Sequence, residues 1–333
     1  MREIIHSLPE QIVESIKLFN FAWGNISDKT ILHRKFERVL ICGMGGSGIS
    51  GDIASVLYPE LNIVVNKDYK LPRYIDKKTL GILVSYSGNT EETLNNYNLL
   101  RKKGIAVVVI SSNGRLLKDR ASLRIQIPQG FPPRGALGYL FTPIPLLLYR
   151  IDLIKKNPEK ELIKLSGFLR KQAGQIEKKA KNLVELFIGK LPIIYANSDA
   201  SGVIARRWQC QLNENSKILC HTNIIPEMNH NEIVGIGRPP HLNKDLIVVF
   251  INDHNAFIRN KIRVRIIKDI INEEIKGLKY IDINPTGRNP MERIFSTVML
   301  GDFLSCYLAL KTGVDPLPVK RIDYLKNRLS KSK

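Results

Sequence analysis

Short apolar runs recur along the chain, and each ends at a cluster of small or polar residues. In the first half, Arg38-Val39-Leu40-Ile41-Cys42 runs into a glycine-rich turn. Leu80-Gly81-Ile82-Leu83-Val84 runs into Ser85-Tyr86-Ser87-Gly88-Asn89-Thr90, and Ile105-Ala106-Val107-Val108-Val109-Ile110 into Ser111-Ser112-Asn113-Gly114. The second half repeats that order. Leu191-Pro192-Ile193-Ile194-Tyr195-Ala196 meets Asn197-Ser198-Asp199-Ala200-Ser201-Gly202, and Leu246-Ile247-Val248-Val249-Phe250-Ile251 meets Asn252-Asp253-His254-Asn255. Leu278-Lys279-Tyr280-Ile281-Asp282-Ile283 meets Asn284-Pro285-Thr286-Gly287. Continuous apolar runs separated by helix-length segments predict parallel strands covered on both faces. The repeat therefore predicts an α/β chain of two doubly wound subdomains, each a parallel sheet flanked by helices. With the lysine-rich helical stretch of residues 153–190 as connector, the first subdomain spans residues 1–155 and the second 156–333.

The two copies differ in chemistry. The first keeps glycine and hydroxyl residues at its strand ends, while the second has Asn252-Asp253-His254, which suits an anion poorly. The first half is expected to hold a phosphate, and the second to supply shape and catalytic side chains. Ser85, Ser87 and Thr90 put three hydroxyls within six positions at a strand-to-helix turn. Gly88 permits a backbone conformation closed to other residues, and Asn89 and Glu92 have the spacing of a capping box. A helix start offers free N–H groups and a positive dipole end, so a phosphate there needs few cationic side chains. The plainer reading of the same residues is a turn that only caps its own helix.

The stretch Gly43-Met44-Gly45-Gly46-Ser47-Gly48 also brings backbone close to a ligand, and its G-x-G-x-x-G spacing fits a dinucleotide site. That site wants an acid ending the next strand, about twenty residues on. Here the strand Leu61-Asn62-Ile63-Val64-Val65 ends at Asn66, and the nearest following acid is Asp68, after Lys67. A dinucleotide would also leave the second hydroxyl-rich turn unexplained.

The bulk properties narrow the classes. A chain of 333 residues with 44% hydrophobic and 25% charged residues has the composition of a globular protein with room for two medium cores. Its start, Met1-Arg2-Glu3-Ile4-Ile5-His6, lacks the apolar run of a signal peptide. Residues 135–149 are uncharged up to Tyr149 but short, with Pro143 and Pro145; residues 291–310 contain Glu292, Arg293 and Asp302. The second segment predicts a buried core helix, and no membrane association is expected. Cys42, Cys210, Cys220 and Cys306 form no C-x-x-C pair and read as reduced thiols, which fits the cytoplasm. The net charge of +20 invites a nucleic-acid reading. Yet the lysines are spread among acids and apolar residues, with no basic arm or zinc-finger pattern, so no nucleic-acid partner is expected. A positive field also favours small anionic substrates.

The two turns together resemble the sugar isomerase (SIS) domain family, whose members bind phosphorylated sugars. Further motifs are Pro133-Arg134-Gly135-Ala136-Leu137-Gly138-Tyr139, Asn213-Glu214-Asn215, Glu227-Met228-Asn229-His230-Asn231-Glu232 and Arg288-Asn289-Pro290-Met291-Glu292-Arg293-Ile294. In that order they are similar to the bifunctional phosphoglucose/phosphomannose isomerases, over nearly the whole chain. The resemblance implies an isomerase that interconverts glucose 6-phosphate and mannose 6-phosphate with fructose 6-phosphate through a cis-enediol(ate), with no cofactor and no metal. It also implies a homodimer that shares His230 across its interface. Residue by residue, it implies Gly46, Ser47, Ser85, Ser87 and Thr90 around the phosphate, Glu214 as the base and Arg134 facing the reacting carbons. His230 would open the sugar ring, and Lys326, in Ile322-Asp323-Tyr324-Leu325-Lys326, would be a C-terminal lysine that reaches the substrate.

These residue types suit that chemistry. A carboxylate can take a proton from one carbon and return it to the next. A guanidinium stays charged and can stabilise an enediolate, and an imidazole titrates near neutrality and can shuttle a hydroxyl proton. Singly, each has a blander reading: Glu214 as a helix-end surface acid, and His230 as a surface histidine like His6, His33, His241 and His254. Two other functions stay open at this level. A zinc-dependent isomerase would draw on Cys220, His221, Glu227, His230 and Glu232, whose spacing fits no compact metal motif. A SIS regulatory module would need the phosphate cradle but not Glu214, Arg134 and His230 together.

Overall fold

The computed structural model describes residues 1–26 and 28–332. Strands β1 (Arg38–Cys42), β2 (Ile63–Asn66), β3 (Thr79–Val84), β4 (Ala106–Ser111) and β5 (Leu123–Gln126) form one sheet in the order β2-β1-β3-β4-β5. Strands β6 (Leu191–Ala196), β7 (His221–Ile224), β8 (Leu246–Ile251) and β9 (Lys279–Ile283) form a second sheet in the order β7-β6-β8-β9. Every pairing in both sheets is parallel. Without β5 the two orders coincide, so the repeat in sequence is a repeat in topology.

Burial follows the pattern expected of doubly covered parallel sheets. β3 and β4 are buried at every residue. β5, at the edge, alternates buried and exposed over only four residues, and β7 begins with the polar run His221-Thr222-Asn223. Neither carries an apolar run like those of β1, β3, β4, β6 and β8, and neither is predicted above.

The chain divides into two compact units. The first comprises residues 3–174 and 286–296, and the second is built mainly from residues 175–285 and the stretch from 297 onward. The division falls inside the helix Glu159–Phe187 and again inside the helix Pro290–Lys311, whereas the expected boundary lies between residues 155 and 156. A continuous helix shows no break in composition where it passes from one unit to the other, so the pattern cannot mark that point.

In the first unit, Leu40, Leu83, Leu100, Val107, Val109 and Leu116 pack on one face of the sheet with Cys42. Burial pushes the Cys42 thiol up to about 12, which keeps it protonated and inert. In the second unit, Tyr195, Met228, Val248, Phe250, Ile267 and Ile271 form the corresponding core. The helix Asp199–Gln211 is joined there to the helix Pro290–Lys311 by a buried polar knot. Arg207 donates Nε to Asp302 Oδ1 at 3.0 Å and Nη2 to Oδ2 at 2.8 Å, and Gln211 donates to Oδ1 at 2.8 Å. Trp208 donates its indole N–H to Thr297 O at 2.8 Å. Gly301 is required opposite, because a Cβ there would stand 2.2 Å from Trp208 Nε1. The helix Pro290–Lys311 is long and apolar enough to cross a membrane, but 83% of its most apolar window is buried inside the protein, as a core helix would be.

Replacing Asp302 with Ala removes the carboxylate from a bidentate buried pair. The variant is expected to lose about 3–5 kcal/mol of stability. Urea unfolding would measure this, and an unchanged midpoint would contradict the role given to the knot.

Candidate active site

β1 and β3 are neighbours in the first sheet, so the turns at their carboxyl ends open side by side. Ser47, in the first turn of the helix Gly45–Leu57, accepts a hydrogen bond on Oγ from the Tyr86 N–H at 3.3 Å. Ser85 Oγ lies 2.8 Å from Thr90 Oγ1 and accepts from the Gly88 N–H at 3.2 Å. Ser87 Oγ accepts from the Asn89 N–H at 3.3 Å. The structure thus gathers Ser47, Ser85, Ser87 and Thr90 at the starts of two helices.

The turn is held by backbone that approaches closer than side chains allow. Gly88 has φ of +66°, and a Cβ on it would lie 1.8 Å from Asn113 O. Gly114, with φ of +81°, presses back with its Cα beside Ser87 O, where a Cβ would come to 2.3 Å. The loops after β3 and β4 therefore interlock. The expected capping box does not form. The helix Glu91–Lys102 has Thr90 as its cap residue without a side-chain cap bond, and Thr90 turns its hydroxyl to Ser85 instead. Asn89 Oδ1 accepts from the Arg115 N–H at 2.9 Å, binding the β4 loop rather than its own helix. Tyr86, between the two serines, is buried; its hydroxyl donates to Pro128 O at 3.0 Å and accepts from the Phe131 N–H at 2.8 Å. The sequence does not single out Tyr86; the signal that could have found it is an aromatic residue inside a serine-rich turn.

Gly46 sits where a Cβ would be 3.0 Å from both Arg134 Cα and Pro133 O. The short turn Pro133–Gly135 is therefore seated directly on the start of the Gly45–Leu57 helix. Gln11, which the sequence does not single out, holds it there. Its Nε2 donates to Gly135 O at 2.8 Å, and its Oε1 accepts from the Gly138 N–H at 3.1 Å. Arg134 is only 3% exposed, so its charge acts in a poorly hydrated place close to the hydroxyl cluster's helix start.

Glu214, His230 and Lys326 belong to the second unit. Glu214 lies in one turn of π-helix, Leu212–Ser216, which continues the Asp199–Gln211 helix and ends at Lys217 with φ of 58°. Such turns re-aim side chains and recur at functional sites. Both residues after Glu214 are pinned: Asn215 donates to Ser305 Oγ at 2.9 Å and Ser216 donates to Ser305 O at 2.7 Å. Glu214 is thus a half-buried carboxylate on an irregular, rigidly held helix end, not a fully exposed surface acid. His230 ends the 3-10 turn Glu227–His230 and is exposed. Lys326 lies in the helix Lys320–Leu329, none of whose residues is buried.

The second copy of the cradle is filled by the chain itself. Ser198 caps the Asp199–Gln211 helix by accepting from the Ser201 N–H at 3.1 Å, within a full capping box. Its hydroxyl donates to Asp253 Oδ2 at 3.1 Å, and the Asp253 N–H donates to Asn197 Oδ1 at 2.8 Å. A carboxylate stands where the first copy offers hydroxyls, which agrees with the expected asymmetry. Among the described residues, no three His, Cys, Asp or Glu side chains gather to hold a metal ion. Of the zinc candidates, His221 and Glu232 do meet, with Nε2 3.0 Å from Oε1.

Known proteins define the class first. The fold is similar to the C-terminal domain of glucosamine-fructose-6-phosphate aminotransferase from Francisella tularensis, with a TM-score of 0.76 and 16% identity over 94% of this chain and 96% of that one. Residues 176–329 match the family described as bacterial phospho-glucose isomerase C-terminal SIS domain. The chain is therefore a two-unit α/β protein whose C-terminal half matches a SIS domain. It is 39% identical, over 100% of both chains, to the bifunctional phosphoglucose/phosphomannose isomerase of Caldicellulosiruptor bescii. It is 34% identical to that of Aquifex aeolicus over 97% of this chain and 99% of that one. The chain belongs to the bifunctional phosphoglucose/phosphomannose isomerase family.

Gly88→Ala should open the interlocked turns, because its Cβ meets backbone rather than a movable side chain. Inorganic phosphate should raise the melting temperature of the parent protein and leave that of the folded variant unmoved. An equal shift in both would remove the cradle from anion binding.

Proposed function

We propose that this chain interconverts glucose 6-phosphate and mannose 6-phosphate with fructose 6-phosphate by moving a proton between C1 and C2 through a cis-enediol(ate). The observation that carries the reading is the convergence of Ser47, Ser85, Ser87 and Thr90 at two helix starts, with the Arg134 turn seated on one of them. The cradle takes the phosphate through hydroxyls and backbone N–H groups, and binding energy from that non-reacting end orients the rest of the sugar.

In this reading Glu214 takes the proton from C2 of the open aldose and returns it to C1, while the hydroxyl proton passes from O2 to O1 across the enediolate, and the ketose forms. A carboxylate on a pinned π turn loses little freedom when it acts, which favours that role. Arg134 stabilises the negative oxygen of the enediolate, and its burial strengthens the field it exerts. His230 moves the ring hydroxyl proton during opening, and Lys326 reaches the substrate from the C-terminal helix. No metal or organic cofactor enters the scheme.

The reading includes a homodimer in which His230 is shared across the interface. His230 is exposed, and the helix Lys320–Leu329 presents Tyr324, Leu325 and Leu329 to solvent, which supports covering by a second copy. The free cysteines, three of them buried, support a cytoplasmic setting.

Glu214→Gln is expected to lower kcat at least about 100-fold while an acyclic hexitol 6-phosphate still binds. Coupled assays with each hexose 6-phosphate and a calorimetric titration would test both halves; full turnover would remove Glu214 from its role. Light scattering should give a dimer, and a fully active monomer would end the shared-site arrangement.

A further inference from the structure

His230 occupies a poor place for a group that must meet a sugar ring. It is exposed, on non-repetitive backbone between β7 and β8, at the end of a single 3-10 turn. A histidine there would sample many directions unless the backbone on both sides were held. On the N-terminal side the anchor is apolar: Met228 is fully buried among Tyr195, Ile225 and Phe250.

On the C-terminal side the anchor is a carboxylate. Glu232 begins the next 3-10 turn, Glu232–Val234, two residues past His230. Its Oε1 accepts from the Tyr195 hydroxyl at 2.7 Å, and its Oε2 accepts from Asn223 Nδ2 at 2.6 Å. Nε2 of His221 lies 3.0 Å from Oε1 and 3.1 Å from Oε2. Tyr195 on β6 and Asn223 on β7 are register partners, and His221 precedes Asn223 by two positions, so these three side chains share one face of the sheet. Asn231 closes the gap, donating from Nδ2 to Glu227 Oε1 at 3.0 Å and accepting from the Glu232 N–H. His230 is thus bracketed by a buried methionine and a triply bonded carboxylate.

We propose that Glu232 is a positioning residue for His230: it fixes the loop that carries the histidine to the β6–β7 face and so sets the direction in which the imidazole is offered to the sugar ring. The proposal rests on the ring-opening role given to His230 above. An apolar side chain could fix the depth of this loop at less desolvation cost. A carboxylate held by converging donors also fixes its direction. Burial alone would push the Glu232 carboxyl up, but the hydrogen bonds from Asn223, Tyr195 and His221 outweigh it and hold the group below its ordinary range. Burial and the Glu232 bond together raise the Tyr195 hydroxyl, which keeps it a donor.

The test compares Glu232→Ala, Glu232→Gln, His230→Ala and the Glu232→Ala/His230→Ala double variant, with hexose 6-phosphates as substrates and a hexitol 6-phosphate as an acyclic ligand that needs no ring opening. Glu232→Ala is expected to lower kcat about tenfold while hexitol 6-phosphate binding is unchanged. Glu232→Gln should recover most of the rate, since its amide oxygen can still accept from Tyr195 or Asn223. The double variant should be no slower than His230→Ala, because the two act through one group. Should Glu232→Ala fail to fold, Tyr195→Phe removes one donor, keeps the ring in the core, and should lower kcat a few-fold with the same pattern. Wild-type kcat in the folded variants, multiplying losses in the double variant, or hexitol binding that falls in step with kcat would each overturn the proposal. A fully active His230→Ala would instead overturn the ring-opening assignment beneath it.

Discussion

The structure depends on how closely the loops after β3 and β4 approach each other. Gly88 and Gly114 leave no room for a Cβ, and the contact lets Ser85, Ser87 and Thr90 sit at one helix start while Ser47 faces them from another. An anion bound by hydroxyls and N–H groups needs such close backbone, because each contribution is short-ranged and modest by itself. With it, a phosphate can be gripped without a ring of lysines. In the proposed site the net charge of +20 would act as a diffuse field, not as the grip.

The duplicated plan has been used unequally. Both copies end their strands in polar turns before a helix, yet only the first leaves its hydroxyls facing one another across two turns. In the second, Ser198 and Ser201 are spent on a capping box and Asp253 occupies the mouth. The second unit instead carries the proposed catalytic side chains on irregular backbone. Glu214 rides a π turn locked to Ser305, and His230 rides a 3-10 turn locked by Met228 and Glu232. Both are set at the ends of regular elements whose packing is rigid: the Arg207–Asp302 pair below one, the β6–β7 face below the other. Irregular backbone aims the group, and a buried polar contact keeps it aimed.

Much of this was legible in the chain. Apolar runs marked β1, β2, β3, β4, β6, β8 and β9, and their repetition marked the two sheets; the inner strands β1, β3, β4, β6 and β8 lack a polar parity because both their faces are covered. β5 and β7 escaped because their four residues alternate with or begin with polar ones, so at a sheet edge they resemble loops. The unit boundary escaped because a helix such as Glu159–Phe187 stays amphipathic across the change. The Asn89–Glu92 box escaped because the spacing of a cap says nothing of competing partners: Asn89 found the Arg115 N–H first.

Sequence by itself determined the α/β class, the two-fold plan, the hydroxyl-rich turns and the identity of Ser47, Ser85, Ser87, Thr90, Arg134, Glu214 and His230 as candidates. These are local properties, written in runs of a few residues or in motif order. Only the tertiary structure decided that Gln11 seats the Arg134 turn, that Asp253 fills the second cradle and that Glu232 clamps the His230 loop. Each of those is a hydrogen bond between residues distant in the chain, except where Asn223 and Glu232 meet across nine positions. Such a bond depends on strand register and loop path, and no run of neighbouring residues encodes either one.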